Sequence, residues 1–245
     1  MKVVHVEARL KAKFKIPKSF LEKLPEKVAV FTTIQLMNSL EDIVSQIEET
    51  GRKAIVLKTG HTRHKGQILG CNVQNFQKYA DQDFDAFVYI GDGFFHPKAL
   101  VWKNEDKQVH VYNPFTDKEY LLDDEDIKRD RKKYNAALSN FYMARNVGVL
   151  VTTKPGQMLL KRAMELRDEY PDKNFYFFIE NTLDFSMLDD FPFIDVFVNS
   201  MCPRVPFEDQ KNISKPVVNL EDVKKKDSFR AMVHKSGKYG KDLVE

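Results

Sequence analysis

The stretch Val28 to Gly60, VAVFTTIQLMNSLEDIVSQIEETGRKAIVLKTG, decides the fold, because its pattern returns as Val147 to Asn181, VGVLVTTKPGQMLLKRAMELRDEYPDKNFYFFIEN. Each copy is a short β-branched run ending in Thr-Thr, then an amphipathic stretch, then a second apolar run. Self-similarity of this kind sets an architecture before any single residue does. In the first copy Leu40, Ile43, Val44 and Ile47 recur at steps of three and four, which places them on one face of a helix. Ser39 with Asp42 reads as its start signal and Gly51 as its stop. In the second copy Leu159, Leu160, Ala163 and Met164 follow the same steps, and Leu166 carries the stripe past Arg167.

Both copies run on to a third apolar segment, DAFVYIGDG from Asp85 to Gly93 and DVFVNSMCPR from Asp195 to Arg204. Strand, helix, strand, connection, strand, with runs apolar enough to be covered on both faces, predicts parallel sheets flanked by helices. The expected fold class is therefore α/β, built from two homologous small domains. Their expected limits are 25–120 and 121–210, preceded by a strand or linker remnant over 1–24 and followed by a basic tail over 211–245. Between the halves, Asp124 to Arg145 carries Ile127, Tyr134, Leu138 and Phe141 at helical spacing and reads as a bridging helix. The stretch VVHVEARL, Val3 to Leu10, reads as a strand with no sheet of its own to join.

Composition narrows the class. The 245 residues are 42% hydrophobic and 31% charged, a balance that supports a buried core under a charged surface. No apolar run reaches the roughly 18 residues of a membrane span, and the N-terminus lacks the apolar core of a secretory signal. A cytoplasmic protein without membrane attachment is expected. The net charge of +3 is not that of a nucleic-acid binder, and much of it lies between Lys211 and Glu245, where nine Lys or Arg face five acids. That segment, including Lys224, Lys225 and Lys226, reads as a solvated tail.

In open parallel sheets, ligands bind beyond the carboxyl ends of the strands. Three segments fall there: HTRHKGQILGCN from His61, GDGFFHP from Gly91, and MCPRVP from Met201. They contain the chain's two cysteines, Cys71 and Cys202, too few and too far apart for a disulfide framework. Cys71 follows Gly70, which permits a tight turn; Cys202 precedes Pro203, which stops the strand. Superposing the repeats sets Cys202 close to the position of Asp92. Spacing alone leaves two readings open, loop thiols that bind a metal or do redox chemistry, and inert structural cysteines.

GQILGCN from Gly66, GDGFFHP from Gly91, NPFT from Asn113, KPGQ from Lys154 and FPFIDVFVNSMCPRVPFED from Phe191 together carry a resemblance, in order and spacing, to the diphthamide-synthesis family of iron-sulfur enzymes. The resemblance covers about nine tenths of the chain, counted from the motif order. It implies three homologous domains, each giving one cysteine to a [4Fe-4S] cluster that leaves one iron open for S-adenosylmethionine. Cys71 matches the ligand of the middle domain and Cys202 that of the last; the first domain, with its cysteine, has no counterpart here. Implied with it is transfer of a 3-amino-3-carboxypropyl group from S-adenosylmethionine, by a radical route, to a histidine of translation elongation factor 2. The implied partners are that elongation factor, an electron donor, and a subunit or second protomer supplying the third cysteine.

Under the same resemblance, Gly91, Asp92, Gly93 and His96 face the cofactor, His96 toward its carboxylate. Gln157, near a helix start, meets an anion or the nucleoside. Each has a plain alternative: a turn with His96 as a structural donor, and a helix-start turn at Gln157. His61 and His64 are either substitute ligands or part of a solvated or phosphate-contacting loop, and Arg204 pairs with a carboxylate of substrate or of the protein itself. Trp102 and the many Phe residues belong to cores and a domain interface. An accessory subunit that does not cleave S-adenosylmethionine, or a binding module with structural cysteines, remain the competing functions.

Overall fold

The computed structural model describes residues 6–224 apart from Ala12, His61, residues 77–82, Glu105, Asp123, Asp124 and Pro155. The chain divides into two compact units, Met1–Ile127 and Lys128–Glu245. In the first, helix α1 (Lys18–Glu22) precedes β1 (Lys27–Thr32), a 3-10 turn (Ile34–Ser39), α2 (Leu40–Glu48), β2 (Lys53–Ile55), β3 (Ala86–Ile90), α3 (Phe95–Val101), β4 (Val109–Asn113) and β5 (Lys118–Leu122). Helix α4 (Glu125–Met143) leads into the second, which continues with β6 (Asn146–Thr152), α5 (Leu160–Met164), α6 (Leu166–Glu169), β7 (Asn174–Glu180), β8 (Val196–Asn199), α7 (Val205–Glu208), β9 (Val217–Asn219) and α8 (Leu220–Val223).

The strand orders are β2-β1-β3-β4-β5 and β7-β6-β8-β9, so in both units the first strand lies between the second and third. The repeat reaches single hydrogen bonds. Asp85 Oδ2 accepts from Lys27 N at 3.0 Å and its own N–H donates to Lys27 O at 2.8 Å; Asp195 Oδ2 accepts from Asn146 N at 2.8 Å and its N–H donates to Asn146 O at 2.9 Å. One carboxylate thus ties the start of the third strand to the start of the first in each unit.

Both faces of β1 are covered, as its near-continuous apolar sequence requires. Val28 and Val30 pack with Leu36, Leu40, Ile43 and Ile47, whereas Phe31 meets Phe76 and Phe87 at ring distances of 5.4 and 6.1 Å. Ile43 and Ile47 are fully buried, each stabilising the unit by about 1.5–3 kcal/mol. Gly51 ends this turn of chain at φ +82, a backbone conformation suited to glycine. Helix α4 serves the second unit, where Tyr134 meets Phe207 at 4.6 Å and Phe141 meets Tyr170 at 5.1 Å. The side chain of Ile127 lies outside the described residues.

Five expectations change. The first sheet is not wholly parallel, because β5 pairs antiparallel with β4 across the NPFT turn. A hairpin needs only a tight turn, and Asp117 takes φ 52 there. Ser39 does not cap α2 with its side chain, since the preceding 3-10 turn already leads the backbone into the helix. The second repeat's helix breaks into α5 and α6; Ala163 and Leu166 are buried while Met164 is 47% exposed, so the inward stripe is narrower than its apolar residues suggest. Val6 to Leu10 forms no strand, and Met1 to His5 lie outside the described residues. The segment is tied to the first unit by Leu10 N donating to Gln35 O at 2.7 Å, and farther on Ile16, Phe20, Leu21 and Leu24 enter its core.

The basic tail is the fifth correction. Residues 213–224 close the second sheet: β9 pairs with β8, and Lys224 is buried between Glu165 and Glu169. Alternating charge masked two short apolar runs there. Residues from Lys225 onward lie outside the described part. A chain stopped at Lys211 loses Val217, Val218, Leu220 and Val223, all essentially fully buried and each contributing about 1.5–3 kcal/mol against a typical total of about 5–15 kcal/mol. The expected outcome is a second unit without a cooperative thermal transition; an unfolding curve like that of the parent chain would contradict this role for β9.

Candidate functional site

With the first and third strands adjacent, the loops leaving them part to opposite sides, and a crevice opens at the carboxyl edge between them. In the first unit Thr32 Oγ1 donates to Ile90 O at 2.7 Å and closes the edge of that crevice. Gly91 follows at once. A Cβ here would lie 2.6 Å from Tyr89 Oη, so any side chain would force the buried Tyr89 ring to shift; Gly93 takes φ +65. Asp92 Oδ1 accepts from Gly93 N and Asn113 Nδ2, both at 2.8 Å, and the Asp92 carbonyl accepts from Tyr89 Oη at 3.1 Å. Burial, helped by the charge of Asp92, raises the Tyr89 hydroxyl well above its ordinary value and keeps it a donor. His96 stands in the first turn of α3, its ring stacked on Tyr89 at 6.5 Å and meeting Phe95 edge-on at 5.5 Å. Gly91, Asp92, Gly93 and His96 therefore share one edge.

Cys71 joins them there. After β2 the chain loops out and returns beside β1, where Thr32 N donates to Gly66 O at 2.8 Å and Ile68 N to Thr32 O at 2.9 Å. Next comes Gly70, whose missing side chain leaves room for the Phe95 ring; a Cβ would fall inside it. This contact sets the Cys71 turn against the start of α3. Cys71 itself is exposed and outside any disulfide. The turn is braced by Asn72, only 3% exposed: its Oδ1 accepts from Leu69 N at 2.8 Å and from Thr59 Oγ1 at 3.3 Å, and its Nδ2 donates to Gly60 O.

His64 sits elsewhere in this loop, with Nε2 at 2.9 Å from both Glu7 Oε1 and Arg9 Nη2. Its hydrogen bond to Glu7, with those of Arg9, holds the Glu7 carboxyl at about 2. His61 lies outside the described residues. Among those described, no group of three or more His, Cys, Asp or Glu side chains is arranged to hold a metal ion.

In the second unit Cys202 follows β8 as a half-buried free thiol. Counting from the paired aspartates Asp85 and Asp195, it occupies the position of Asp92. Gln157 is exposed in the loop after β6, its N–H donating to Lys154 O at 3.1 Å in a turn where Gly156 takes φ +80. Arg204 is buried and pairs with Glu208 one turn along α7, the structural alternative. Trp102 is buried in the first unit.

Three residues carry the loop geometry and were not singled out in the sequence: Asn72, Asn199 and Asn219. Their signal was present, since each is a polar residue closing an apolar run or adjoining a cysteine at a strand's carboxyl edge. Asn199 and Asn219 are 2% and 4% exposed.

The family described as "Putative diphthamide synthesis protein" matches residues 1–225. The chain belongs to this diphthamide-synthesis family. It is similar to the 2-(3-amino-3-carboxypropyl)histidine synthase of Pyrococcus horikoshii, 30% identical over 208 residues that cover 83% of this chain and 58% of that protein. It is 26% identical over 204 residues to the synthase subunit 1 of Candida albicans, covering 78% of this chain and 45% of the subunit. The crystal structure of Dph2 from Pyrococcus horikoshii with a 4Fe-4S cluster superposes with a TM-score of 0.67 at 26% identity, covering 84% of this chain and 58% of that one. The chain therefore spans less than three fifths of the length of these relatives. No described helix is long and apolar enough to cross a membrane.

Asn72→Ala removes the acceptor for Leu69 N and the donor to Gly60 O inside a buried turn, at an expected cost of about 1–3 kcal/mol. Urea unfolding measures the loss, and an unchanged midpoint would mean the brace is dispensable. The Glu7 clasp has a definite pH dependence. A carboxyl lowered from 4.5 to about 2 contributes stability that is fully present above pH 4.5 and lost as pH falls through 2. The difference between the parent and Glu7→Gln in denaturant midpoint should persist from neutral pH down to pH 4.5, shrink below it and vanish only once the pH is below 2; a difference already gone at pH 4.5 would refute the assignment.

Proposed function

We propose that this chain is part of an iron-sulfur transferase that moves the 3-amino-3-carboxypropyl group of S-adenosylmethionine to a histidine of translation elongation factor 2 in diphthamide biosynthesis. The observation that carries the reading is that each unit holds a cysteine outside any disulfide at the carboxyl edge of its sheet, where parallel sheets bind ligands. The name of the archaeal relative and the cluster in the Dph2 structure support the chemistry.

The donor set fits an iron-sulfur cluster in kind. Cys71 and Cys202 are soft thiol ligands outside any disulfide, each in a loop braced by a buried asparagine. Two thiolates are one short of the three that the resemblance implies, and we assign the third to a partner subunit or second protomer; the name "subunit 1" of the Candida albicans relative is in keeping with a multi-subunit enzyme. A bound cluster supplies the electron for breaking the bond from sulfur to the methionine γ-carbon of S-adenosylmethionine. The chain's own residues bind and orient that substrate. Gly91 and Gly93 allow close approach of the backbone, the exposed Asp92 carboxylate accepts from its ammonium, His96 donates to its carboxylate, and Gln157 meets the nucleoside. An electron donor and elongation factor 2 complete the set of partners.

Anaerobic reconstitution with iron and sulfide tests the site. The parent chain with its partner should retain roughly four irons, while Cys71→Ala and Cys202→Ala should each lose them. Unchanged iron in either variant overturns the ligand assignment. Formation of methylthioadenosine on adding reductant and S-adenosylmethionine separates a catalyst from an accessory subunit, which would hold iron without cleaving the substrate.

A further inference from the structure

We infer that Asn199, backed by Asn219, is the positioning residue for the Cys202 thiol, a role that rests on the proposed iron-sulfur function. The Asn199 carboxamide uses both ends. Nδ2 donates to the Cys202 carbonyl at 2.9 Å and to Asn219 Oδ1 at 2.8 Å, and Oδ1 accepts from Met201 N at 3.1 Å. Asn219 in turn donates from Nδ2 to Pro203 O at 3.0 Å. The carbonyls on either side of the Pro203 ring, those of Cys202 and of Pro203 itself, are thereby held by one pair of buried amides, and Val205 N adds a second donor to the Cys202 carbonyl at 3.1 Å.

Asn219 is anchored from behind. Its N–H donates to Tyr134 Oη at 2.9 Å, and that hydroxyl donates to Asp222 Oδ2 at 2.6 Å. Burial, reinforced by the charge of Asp222, raises the Tyr134 hydroxyl well above its ordinary value, so it stays a donor. The line from Asp222 through Tyr134, Asn219 and Asn199 to the cysteine backbone is hydrogen-bonded at every step and, beyond the half-buried Asp222, enclosed, the condition under which such a network holds one geometry. On its other side Cys202 packs against the apolar cluster of Leu150, Phe197 and Val205. Backbone and side chain are fixed by separate contacts.

The internal repeat supplies an independent argument. Residue 89 of the first unit corresponds to residue 199 of the second, and residue 92 to residue 202, when the units are aligned on Asp85 and Asp195. At both places a side chain at the end of the third strand donates to the carbonyl three residues on: Tyr89 Oη to Asp92 O, and Asn199 Nδ2 to Cys202 O. The device survives although the donor differs, phenol in one unit and amide in the other. What it orients differs too, a carboxylate and a thiol.

The test compares the alkylation rates of Cys202 and Cys71 in the reduced, metal-free full chain by mass spectrometry. Asn199→Ala, and Asn199→Asp, which keeps the acceptor for Met201 N but loses the donor, should each raise the Cys202 rate about five-fold, the change expected once the hydrogen bond to the Cys202 carbonyl is lost, with the Cys71 rate unchanged. Asn219→Ala should act in the same direction. Val198→Ala, which shortens a fully buried apolar side chain on β8 and removes no polar group, controls for general loosening and should leave the ratio of the two rates at its parent value. A ratio unmoved in Asn199→Asp, or moved as far by Val198→Ala, overturns the inference. Iron retained by the parent after reconstitution is read separately, so loss of the cluster reading and loss of the positioning role give different results.

Discussion

Parallel strands cannot be joined by a tight turn, and this constraint governs the molecule. Every parallel connection must leave at one edge of the sheet and return to the other, so loops collect at the carboxyl edge while helices cover the faces. In both units the first strand sits between the second and third, so the loop after the third strand always emerges beside the first. Asp85 and Asp195 pin the opposite edge by tying the starts of those two strands together. The carboxyl edge is left free to vary, and there one unit carries Gly91 to Gly93 and the other carries Cys202.

Loops at that edge expose backbone groups that no strand satisfies, and the protein meets them with buried amides. Asn72 braces the turn of Cys71, and Asn199 with Asn219 braces that of Cys202. A carboxamide suits the task because it donates and accepts at once and stays neutral, so it can be buried at far less cost than a charge. Glycine does complementary work where space is short. Gly70 lets the Phe95 ring approach the Cys71 turn, and Gly91 makes room for Tyr89. The Cys71, Asp92 and His96 segments of the first unit thus lie along one edge, where two glycines leave room for the rings of Phe95 and Tyr89.

Much of this was legible in advance. The paired runs from Val28 and Val147 indicated two α/β units, and the rule that ligands gather at carboxyl edges selected the loops of Cys71, Gly91 and Cys202. Less legible was anything settled by packing rather than by pattern. The second helix reads as one stripe, but Met164 points to solvent and the helix divides after it. The segment from Lys211 reads as a charged tail because its two apolar runs are only a few residues long, yet they close a sheet. His64 reads as either a substitute ligand or part of a solvated or phosphate-contacting loop, whereas the fold commits its Nε2 to Glu7 and Arg9, residues more than fifty positions away.

Alone, the amino-acid sequence determined the repeat, the strand-helix-strand order and the family, because periodic burial and motif order are written locally along the chain. Tertiary structure decided which polar residues become braces and which glycines become contacts. The Asn199 amide reaches Asn219 twenty residues on, and Asn219 is held by Tyr134, eighty-five residues before it. Such pairings follow from strand order, which no local pattern encodes. For the same reason Cys71 and Cys202 could be named from the sequence, while the asparagines that fix their loops emerged only once the strands were placed side by side.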